Sequence, residues 1–266
     1  MKKILTIALL LIAINAQGQG LPVAANATLA SLFPDENLRR VVAKSIEESA
    51  ISASPMDWEA RQGNPNMTGQ RLSEALARVE RVDGSNRGIR NTEGIQYLVE
   101  LTYLNLSFNQ LTGIDLSGNR RLSTLKVNNN QLTNLDLTNN AGLDTLEANN
   151  NLLTLVVLPE IKMVLRMGGG AGLSSIQLSN NQLESLNIGL HSEELTYLYV
   201  NNNKLINLNI GYSRYLAYLN ISYNPIFQLD LSFSPHLRQL WFEGTLLTKE
   251  NIIGLPERTE LNPALP

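Results

Sequence analysis

Residues able to do acid–base, nucleophilic or metal chemistry are few and scattered in this chain. It has no cysteine and two histidines, His191 and His236, among 266 residues. Neither histidine can be placed beside a serine, a carboxylate pair or a second metal ligand. The glycine run at 168–170 lacks the Gly-Lys-Ser/Thr and the helix of a phosphate-binding loop. The sequence therefore predicts no enzyme, no cofactor and no metal site.

The residues that recur with regular spacing are leucines and asparagines. A 21-residue unit, LSTLKVNNNQLTNLDLTNNAG, begins at Leu122, and its near copies begin at positions 101, 143, 173, 195, 216 and 237. Its apolar residues lie at positions 1, 4, 6, 11, 14 and 16, so they alternate around Leu125 and Val127 as in a strand and lack helical spacing. A fixed period near twenty residues indicates stacked coils.

Position nine of the unit is asparagine in every copy except the last, where Thr245 stands. Where a chain bends out of a strand between buried leucines, its backbone groups lose their ladder partners. A carboxamide offers two donors and an acceptor to meet them. We therefore expect an inward, structural column composed of Asn109, Asn130, Asn151, Asn181, Asn203 and Asn224.

The pattern LxxLxLxxNxLxxLxLxxN from Leu122 to Asn140 resembles the leucine-rich repeat family, and more narrowly the short bacterial repeats of the internalin type. The resemblance extends from about Val79 to Thr245. It implies a repeat solenoid with a parallel sheet on the strand face, an irregular convex side and an N-terminal α-helical cap. Resemblance to internalins further implies adhesion or contact with a host surface.

Four segments are expected along the chain. Residues 1–20 carry Lys2 and Lys3, an apolar run of about ten residues and then small residues, which is typical of a secretory signal peptide and too short to span a bilayer. Residues 21–78 are the helical cap, 79–245 the repeat array and 246–266 a C-terminal cap. The protein is accordingly expected to be secreted, either extracellular or periplasmic.

The cap is expected to contain two helices. Asp35 is a suitable N-cap for the first, in which Leu38, Val41, Val42 and Ile46 have helical spacing. The second follows Thr68 and includes apolar positions 72, 75, 76 and 79. A degenerate entry coil then has inward residues at 82, 89 and 95. Near residues 162–170 the spacing grows from 21 to 30, which predicts a flexible bulge on the convex side or edge of the array, with a mobile loop that contacts the ligand as the alternative.

Repeat positions 2, 3, 5, 7 and 8 are expected to face outward and to align from coil to coil. Exposed tyrosine and tryptophan are common anchors of recognition surfaces, and five of them fall in the last three coils. Stacked tyrosines that only stabilise the sheet are the structural alternative. The candidate ligand-binding residues are Tyr103, Phe108, Lys126, Glu147, Tyr197, Tyr199, Tyr218, Tyr223 and Trp241.

Charge narrows the choice of partner. The net charge of −3 becomes −5 when the two lysines of the signal peptide are removed, and the basic residues are scattered. A duplex binder needs a clustered basic surface, so no nucleic-acid partner is expected. A protein ligand bound by a non-enzymatic monomer, without membrane insertion, is the favoured function. The alternative is a glycan-binding module that uses the same aromatic residues.

Overall fold

The computed structural model describes residues 23–53, 69–159, 172–188 and 193–262. The expected signal peptide, the insertion at 162–170 and His191 lie outside these residues. The described chain contains three α-helices, two 3₁₀ turns and thirteen short strands. The helices are α1 (Leu29–Leu32), α2 (Glu36–Ala53) and α3 (Gly69–Leu76), and the 3₁₀ turns are Ile95–Tyr97 and Lys249–Asn251. The strands are β1 (Arg81–Asp83), β2 (Tyr103–Asn105), β3 (Thr124–Lys126), β4 (Asn134–Asp136), β5 (Thr145–Glu147), β6 (Leu155–Val157), β7 (Ser175–Gln177), β8 (Tyr197–Tyr199), β9 (Tyr218–Asn220), β10 (Leu229–Asp230), β11 (Gln239–Trp241), β12 (Ile252–Ile253) and β13 (Glu260–Asn262).

Nine of the strands form one parallel sheet in the order β1-β2-β3-β5-β7-β8-β9-β11-β13. Each strand pairs with the same repeat positions of the next coil, so that Thr124 lies beside Thr145 and Lys126 beside Glu147. On the reverse side, β4 pairs with β6 and β10 with β12, also in parallel. The predicted repeat solenoid is confirmed, and part of its reverse side is more regular than the sequence suggested.

One continuous core fills the solenoid because the leucine positions of every coil turn inward. Leu125, Val127 and Leu132 are fully buried, as are Val82 and Ile95 of the entry coil. A three-residue strand with its middle side chain inward buries little apolar area by itself. Stability therefore comes from stacking coil upon coil, as in other repeat proteins.

The helical cap closes the N-terminal end of the array. Helix α2 packs against β1 and against α1, and its buried residues Leu38, Val42 and Ile46 have the spacing of one helical face. The predicted second helix ends at Leu76 and does not continue to Val79. The amide of Val79 instead makes a tight i→i−3 bond to the Leu76 carbonyl before β1 begins.

Asp35 joins the cap to the entry coil. One carboxylate oxygen accepts from the amides of Asn37 and Leu38, both at 3.0 Å, as an N-cap does. The other accepts from the amides of Arg90 and Asn91 at 2.8 and 3.1 Å. Partial burial raises the pKa of Asp35, but the four amide hydrogen bonds outweigh it and hold the pKa below its usual 3.8.

Replacing Asp35 with alanine should lower the free energy of unfolding by about 1–2 kcal/mol at pH 7, because a helix cap and two contacts to the entry coil are lost. Since the folded-state pKa lies below the unfolded one, this contribution is complete above pH about 4 and disappears as pH falls through the lowered folded pKa. Urea unfolding of both proteins at a series of pH values checks this. A difference in stability that persists unchanged at the lowest pH would contradict it.

Candidate functional site

The asparagines at position nine stabilise the coils that carry the strand face. They are buried, and their side chains hydrogen-bond to the backbone of two adjacent coils. The side-chain amide of Asn130 donates to the carbonyls of Val127 in its own coil and Leu106 in the previous coil, at 3.1 and 2.9 Å. Its oxygen accepts from the Leu111 amide at 3.0 Å. The same three contacts recur at Asn151, Asn181, Asn203 and Asn224, while Asn109 contacts the entry coil.

A second buried polar column lies at position 19, and sequence reasoning gave it no role. Asn119, Asn140, Ser213 and Ser234 are fully buried there. The side-chain amide of Asn119 donates to the backbone carbonyls of residues 95 and 98, both at 2.9 Å. It therefore joins adjacent coils where the chain returns toward the next strand. The asparagine that ends the repeat pattern, at position 19, could have predicted this second column.

Position eight bends the chain sharply, because its backbone is left-handed in every described repeat. Asparagine tolerates this conformation, and glycine does so at Gly244 (φ 67°). Two aromatic residues also adopt it, Phe108 (φ 59°) and Tyr223 (φ 55°). The remaining position-eight residues, with φ between 54° and 57°, are Asn86, Asn129, Asn150, Asn180 and Asn202.

Substituting asparagine for Phe108 should therefore stabilise the fold by about 1 kcal/mol, because the strain of a left-handed aromatic residue is removed. Phe108 is 60% exposed, so little packing is lost. Phe227, 50% exposed and without a positive φ, is the matched control, and its asparagine variant should gain nothing. The melting temperatures of both variants, measured by thermal unfolding, test this prediction. Equal melting temperatures for the two would contradict the strain assignment.

The N-terminal half of the strand face is occupied by contacts among its own side chains. The Arg81 guanidinium lies over the Tyr103 ring, 4.0 Å from its centroid. The Lys126 ammonium lies 2.8 Å from a Glu147 carboxylate oxygen, and the other oxygen accepts from Asn128 at 3.0 Å. The hydrogen bond to Glu147 raises the pKa of Lys126 against the opposing effect of partial burial. These charges are thus already paired.

Position seven departs from the expected outward orientation. Ser107 and Ser222 are buried there, and Asn128 and Asn149 are half-buried. The Asn128 side-chain oxygen accepts from the Asn149 amide at 2.8 Å, because the chain begins to bend at this point and leaves that amide without a ladder partner. These residues tie adjacent coils together below the exposed surface.

The C-terminal half of the face carries the predicted aromatics, which we call the aromatic ledge: Tyr197, Tyr199, Tyr218, Tyr223 and Trp241. The rings of Tyr197 and Tyr218 stack in parallel with centroids 5.1 Å apart. The rings of Tyr199 and Trp241 meet edge to face at 6.3 Å, although Asn220 occupies the strand between them. Partial burial, and then the neighbouring Tyr197 and Tyr218, raise the pKa of Tyr199, which keeps its hydroxyl protonated.

Tyr223 stands apart from the two ring pairs, at the carboxyl end of its strand. A Cβ built on Gly244 would lie 2.7 Å from its ring, so the ring occupies the space that this glycine leaves open. A hydrogen bond to Glu243 raises the pKa of the Tyr223 hydroxyl. Tyr103, Phe108, Lys126 and Glu147 likewise lie outside the ring pairs. The predicted ligand-binding residues therefore form two groups along the sheet. These four residues are the N-terminal group, and the aromatic ledge is the C-terminal group.

The Tyr197–Tyr218 stack follows from the register of the sheet. These residues are register partners on adjacent parallel strands, and their ring spacing matches the usual strand spacing of about 4.8 Å. The ring planes are almost parallel, at 2°, so each ring covers one face of the other. One face of each ring is therefore closed to a ligand.

An open groove of about 620 Å³ borders the ledge at the amino ends of these strands. The Tyr215 and His236 rings stack along one side, with centroids 6.4 Å apart. The sequence analysis found no catalytic or metal-binding partner for His236 and did not consider Tyr215. Their 21-residue spacing, which matches the repeat, was the missed signal. The groove is lined by Glu194, Thr196, Tyr197, Tyr215, Ala217, Tyr218, His236 and Arg238.

Among residues 23–53, 69–159, 172–188 and 193–262, no three His, Cys, Asp or Glu side chains are grouped so as to hold a metal ion. In the same residues, no helix combines the length and apolar character needed to cross a membrane.

Several solved structures have the same fold. A leucine-rich repeat protein of Leptospira interrogans is 23% identical, with a TM-score of 0.50 over 59% of this chain and 41% of its own. Internalin C2 of Listeria monocytogenes is 19% identical, with a TM-score of 0.50 over 86% of this chain and 83% of its own. FLRT2, in an octameric complex with latrophilin 3 and Unc5D, is 18% identical, with a TM-score of 0.50 over 71% of this chain and 64% of its own.

No protein-family model and no curated protein matches the chain. The sequence identities to the solved structures are low, so the likeness concerns the fold. Its parallel register, its leucine core and its asparagine column agree with that likeness. This chain has the leucine-rich repeat fold, which it shares with an internalin.

Proposed function

We propose that this protein is a secreted, non-enzymatic binding protein that recognises a protein partner through the aromatic ledge. Adhesion or contact with a host surface is the biological setting we propose. The observation that carries the proposal is the pairing of Tyr199 with Trp241 on a rigid parallel sheet. Aromatic side chains held in this way offer a large contact area at little cost in conformational entropy.

The two halves of the strand face support this placement. In the N-terminal half, Lys126 and Glu147 neutralise each other and Arg81 covers Tyr103. A ligand there would have to break existing contacts before making new ones. In the C-terminal half, Tyr197 is 41% and Tyr223 49% exposed. Binding is therefore proposed at β8, β9 and β11.

The solved relatives are consistent with a protein partner. FLRT2 occurs in a complex with latrophilin 3 and Unc5D, and its repeat region has this fold. Repeat arrays serve as scaffolds whose partners are set by surface residues, so the relative supports the class of function and leaves the partner open.

Ring orientation favours a protein over a glycan. Sugar rings pack best against an exposed aromatic face, whereas Tyr197 and Tyr218 each cover one face of the other ring. Tyr199 and Trp241 lean together edge to face, which also reduces their open faces. Hydroxyl groups and ring edges suit the mixed polar and apolar contacts of a protein interface.

Export is proposed from the first twenty residues, whose lysines and apolar run are typical of a signal peptide. The lack of cysteine means that folding outside the cytoplasm needs no disulfide. Fractionation of the producing cells, with an antibody against the mature protein, separates a periplasmic from an extracellular location. Recovery of the full-length chain in the cytoplasm alone would contradict export.

A photoreactive amino acid placed at position 199 tests the proposed site. With this probe in the ledge, we expect a protein adduct from host or culture extract that is absent when the probe replaces Phe227 on the reverse side. The two positions are matched, since both are aromatic and both lie at the surface. Equal labelling from both positions would place binding outside the ledge. Binding on a glycan array, with no protein adduct at 199, would favour the glycan alternative.

A further inference from the structure

The groove beside the aromatic ledge crosses three successive coils. Its lining residues belong to the repeats that begin at positions 195, 216 and 237, so a ligand that fills it crosses the strands. At a strand spacing of about 4.8 Å, the two outer coils lie roughly 10 Å apart. In the middle coil, the buried Ala217 lies in the chain between the exposed Tyr215 and the half-buried Tyr218. The small alanine leaves room for a ligand between larger side chains.

The two ends of the groove differ in charge. The first of the three coils contributes Glu194, and the exposed Glu193 precedes it in the chain. The third coil contributes the exposed side chains of His236 and Arg238. Among the described residues, the salt bridges involve neither Glu194 nor Arg238. A ligand in the groove therefore meets an acidic end and a basic end, on coils about 10 Å apart.

The lining between these ends supplies hydrogen-bond donors from side chains. Tyr197, Tyr215 and Tyr218 carry hydroxyl groups, which can donate to a carbonyl. The backbone of the sheet offers no such groups, because β8, β9 and β11 are each paired on both sides. A peptide cannot add a strand here, since that mode of binding needs an unpaired sheet edge. Its backbone must instead be recognised by the tyrosines.

We propose that this groove binds a polyproline II segment of the protein partner, with a basic residue at the Glu194 end and an acidic residue at the Arg238 end. The proposal rests on the proposed function, because it names a second contact of the same partner. A polyproline II helix has no internal hydrogen bonds, so its carbonyls are free to accept from tyrosine hydroxyls. Aromatic-lined grooves bind such segments in other protein domains.

The spacing of the coils favours this conformation over the two alternatives. A polyproline II helix rises about 3.1 Å per residue with three residues per turn, so residues i and i+3 share one side and lie about 9.3 Å apart. Two coil spacings, about 9.6 Å, match this distance. In a β-strand the same side recurs every second residue, about 6.7 Å apart. An α-helix satisfies its own carbonyls and offers the tyrosine hydroxyls no backbone acceptor.

The groove and the ledge share only part of their residues. Tyr197 and Tyr218 belong to both surfaces, whereas Tyr199 and Trp241 are absent from the groove lining. A segment in the groove therefore lies beside the stacked tyrosines and leaves the Tyr199–Trp241 pair to the rest of the partner. The two contacts can accordingly be tested separately.

Titration with synthetic peptides tests the groove in the absence of the partner. Each peptide is proline-rich, capped at both ends and fluorescently labelled, and it carries one arginine and one glutamate either three or two residues apart. The order of the two charges sets the direction in which the peptide crosses the groove, so both orders are used. Fluorescence anisotropy at low ionic strength should show that the three-residue spacing binds roughly threefold or more tightly in one order, because it places both charges on one side.

Reversing the charge at one end of the groove makes the test specific. Arg238→Glu should weaken binding of the arginine–glutamate peptide by roughly fivefold or more, because like charges then meet. The same variant should prefer a peptide with arginine at both positions, and Glu194→Arg should prefer one with glutamate at both. Trp241→Ala and Phe227→Ala change residues outside the groove and should bind the peptides as wild type does. Thermal unfolding checks that each variant folds.

The outcomes separate the groove from the ledge. Wild type that binds neither spacing at millimolar peptide, or binds both equally, would overturn the groove proposal. Reversal variants that keep the peptide preference of wild type would overturn it as well. A protein adduct at position 199 without peptide binding would leave the ledge in place and remove the groove alone. Selective peptide binding without any adduct at 199 would support the groove and count against the ledge.

Discussion

Replacing Asn130 with alanine should lower the free energy of unfolding by about 2–3 kcal/mol, among the largest losses expected for a single polar substitution in this protein. The side chain satisfies the Leu106 and Val127 carbonyls and the Leu111 amide. All three contacts are buried, and alanine cannot replace them. The Leu111 amide is then left unpaired, which costs about 1–3 kcal/mol, whereas the two carbonyls keep their hydrogen bonds from Asn109 and Asn151.

The neighbouring Asn129 supplies the matched control, with glycine as its substitute. Asn129 has a left-handed backbone (φ 56°), so alanine there would add strain, whereas glycine adopts this conformation freely. Urea unfolding followed by circular dichroism should show a large shift for Asn130→Ala and a small one for Asn129→Gly. Similar unfolding midpoints for the two variants would show that the position-nine column contributes little to stability.

Much of the fold follows directly from the sequence, because a strict period fixes which positions turn inward. Leu125, Val127 and Leu132 are buried where the period places them. The period does not fix the backbone angles between those positions. The left-handed turn at Asn129 and the burial of Ser107 depend on how sharply each coil bends, and this bend is set by contacts with neighbouring coils.

The candidate site could be predicted only as columns of residues. Register alone places Tyr197 beside Tyr218, and these two rings do stack. It does not predict that Tyr199 reaches Trp241 across Asn220, because side-chain rotamers depend on neighbours two coils away. The groove was missed for a related reason. Tyr215 lies in the turn before its strand, outside the positions considered for binding.

Truncation of the ledge should weaken partner binding strongly. Tyr199→Ala and Trp241→Ala should each cost about 2 kcal/mol, or roughly thirtyfold in dissociation constant. Each ring supports the other through its edge-to-face contact, so the double variant should lose less than the sum of the two single losses. Losses that add fully would indicate that the two rings act independently.

Calorimetric titration measures directly whether the aromatic ledge binds the partner. The titrant is the protein captured by the probe at position 199, and the samples are wild type, Trp241→Ala and the reverse-side control Phe227→Ala. We predict wild-type affinity for Phe227→Ala and a loss of roughly thirtyfold for Trp241→Ala. Equal affinities for these two variants would show that the aromatic ledge does not bind the partner. The paired rings would then serve to stabilise the sheet.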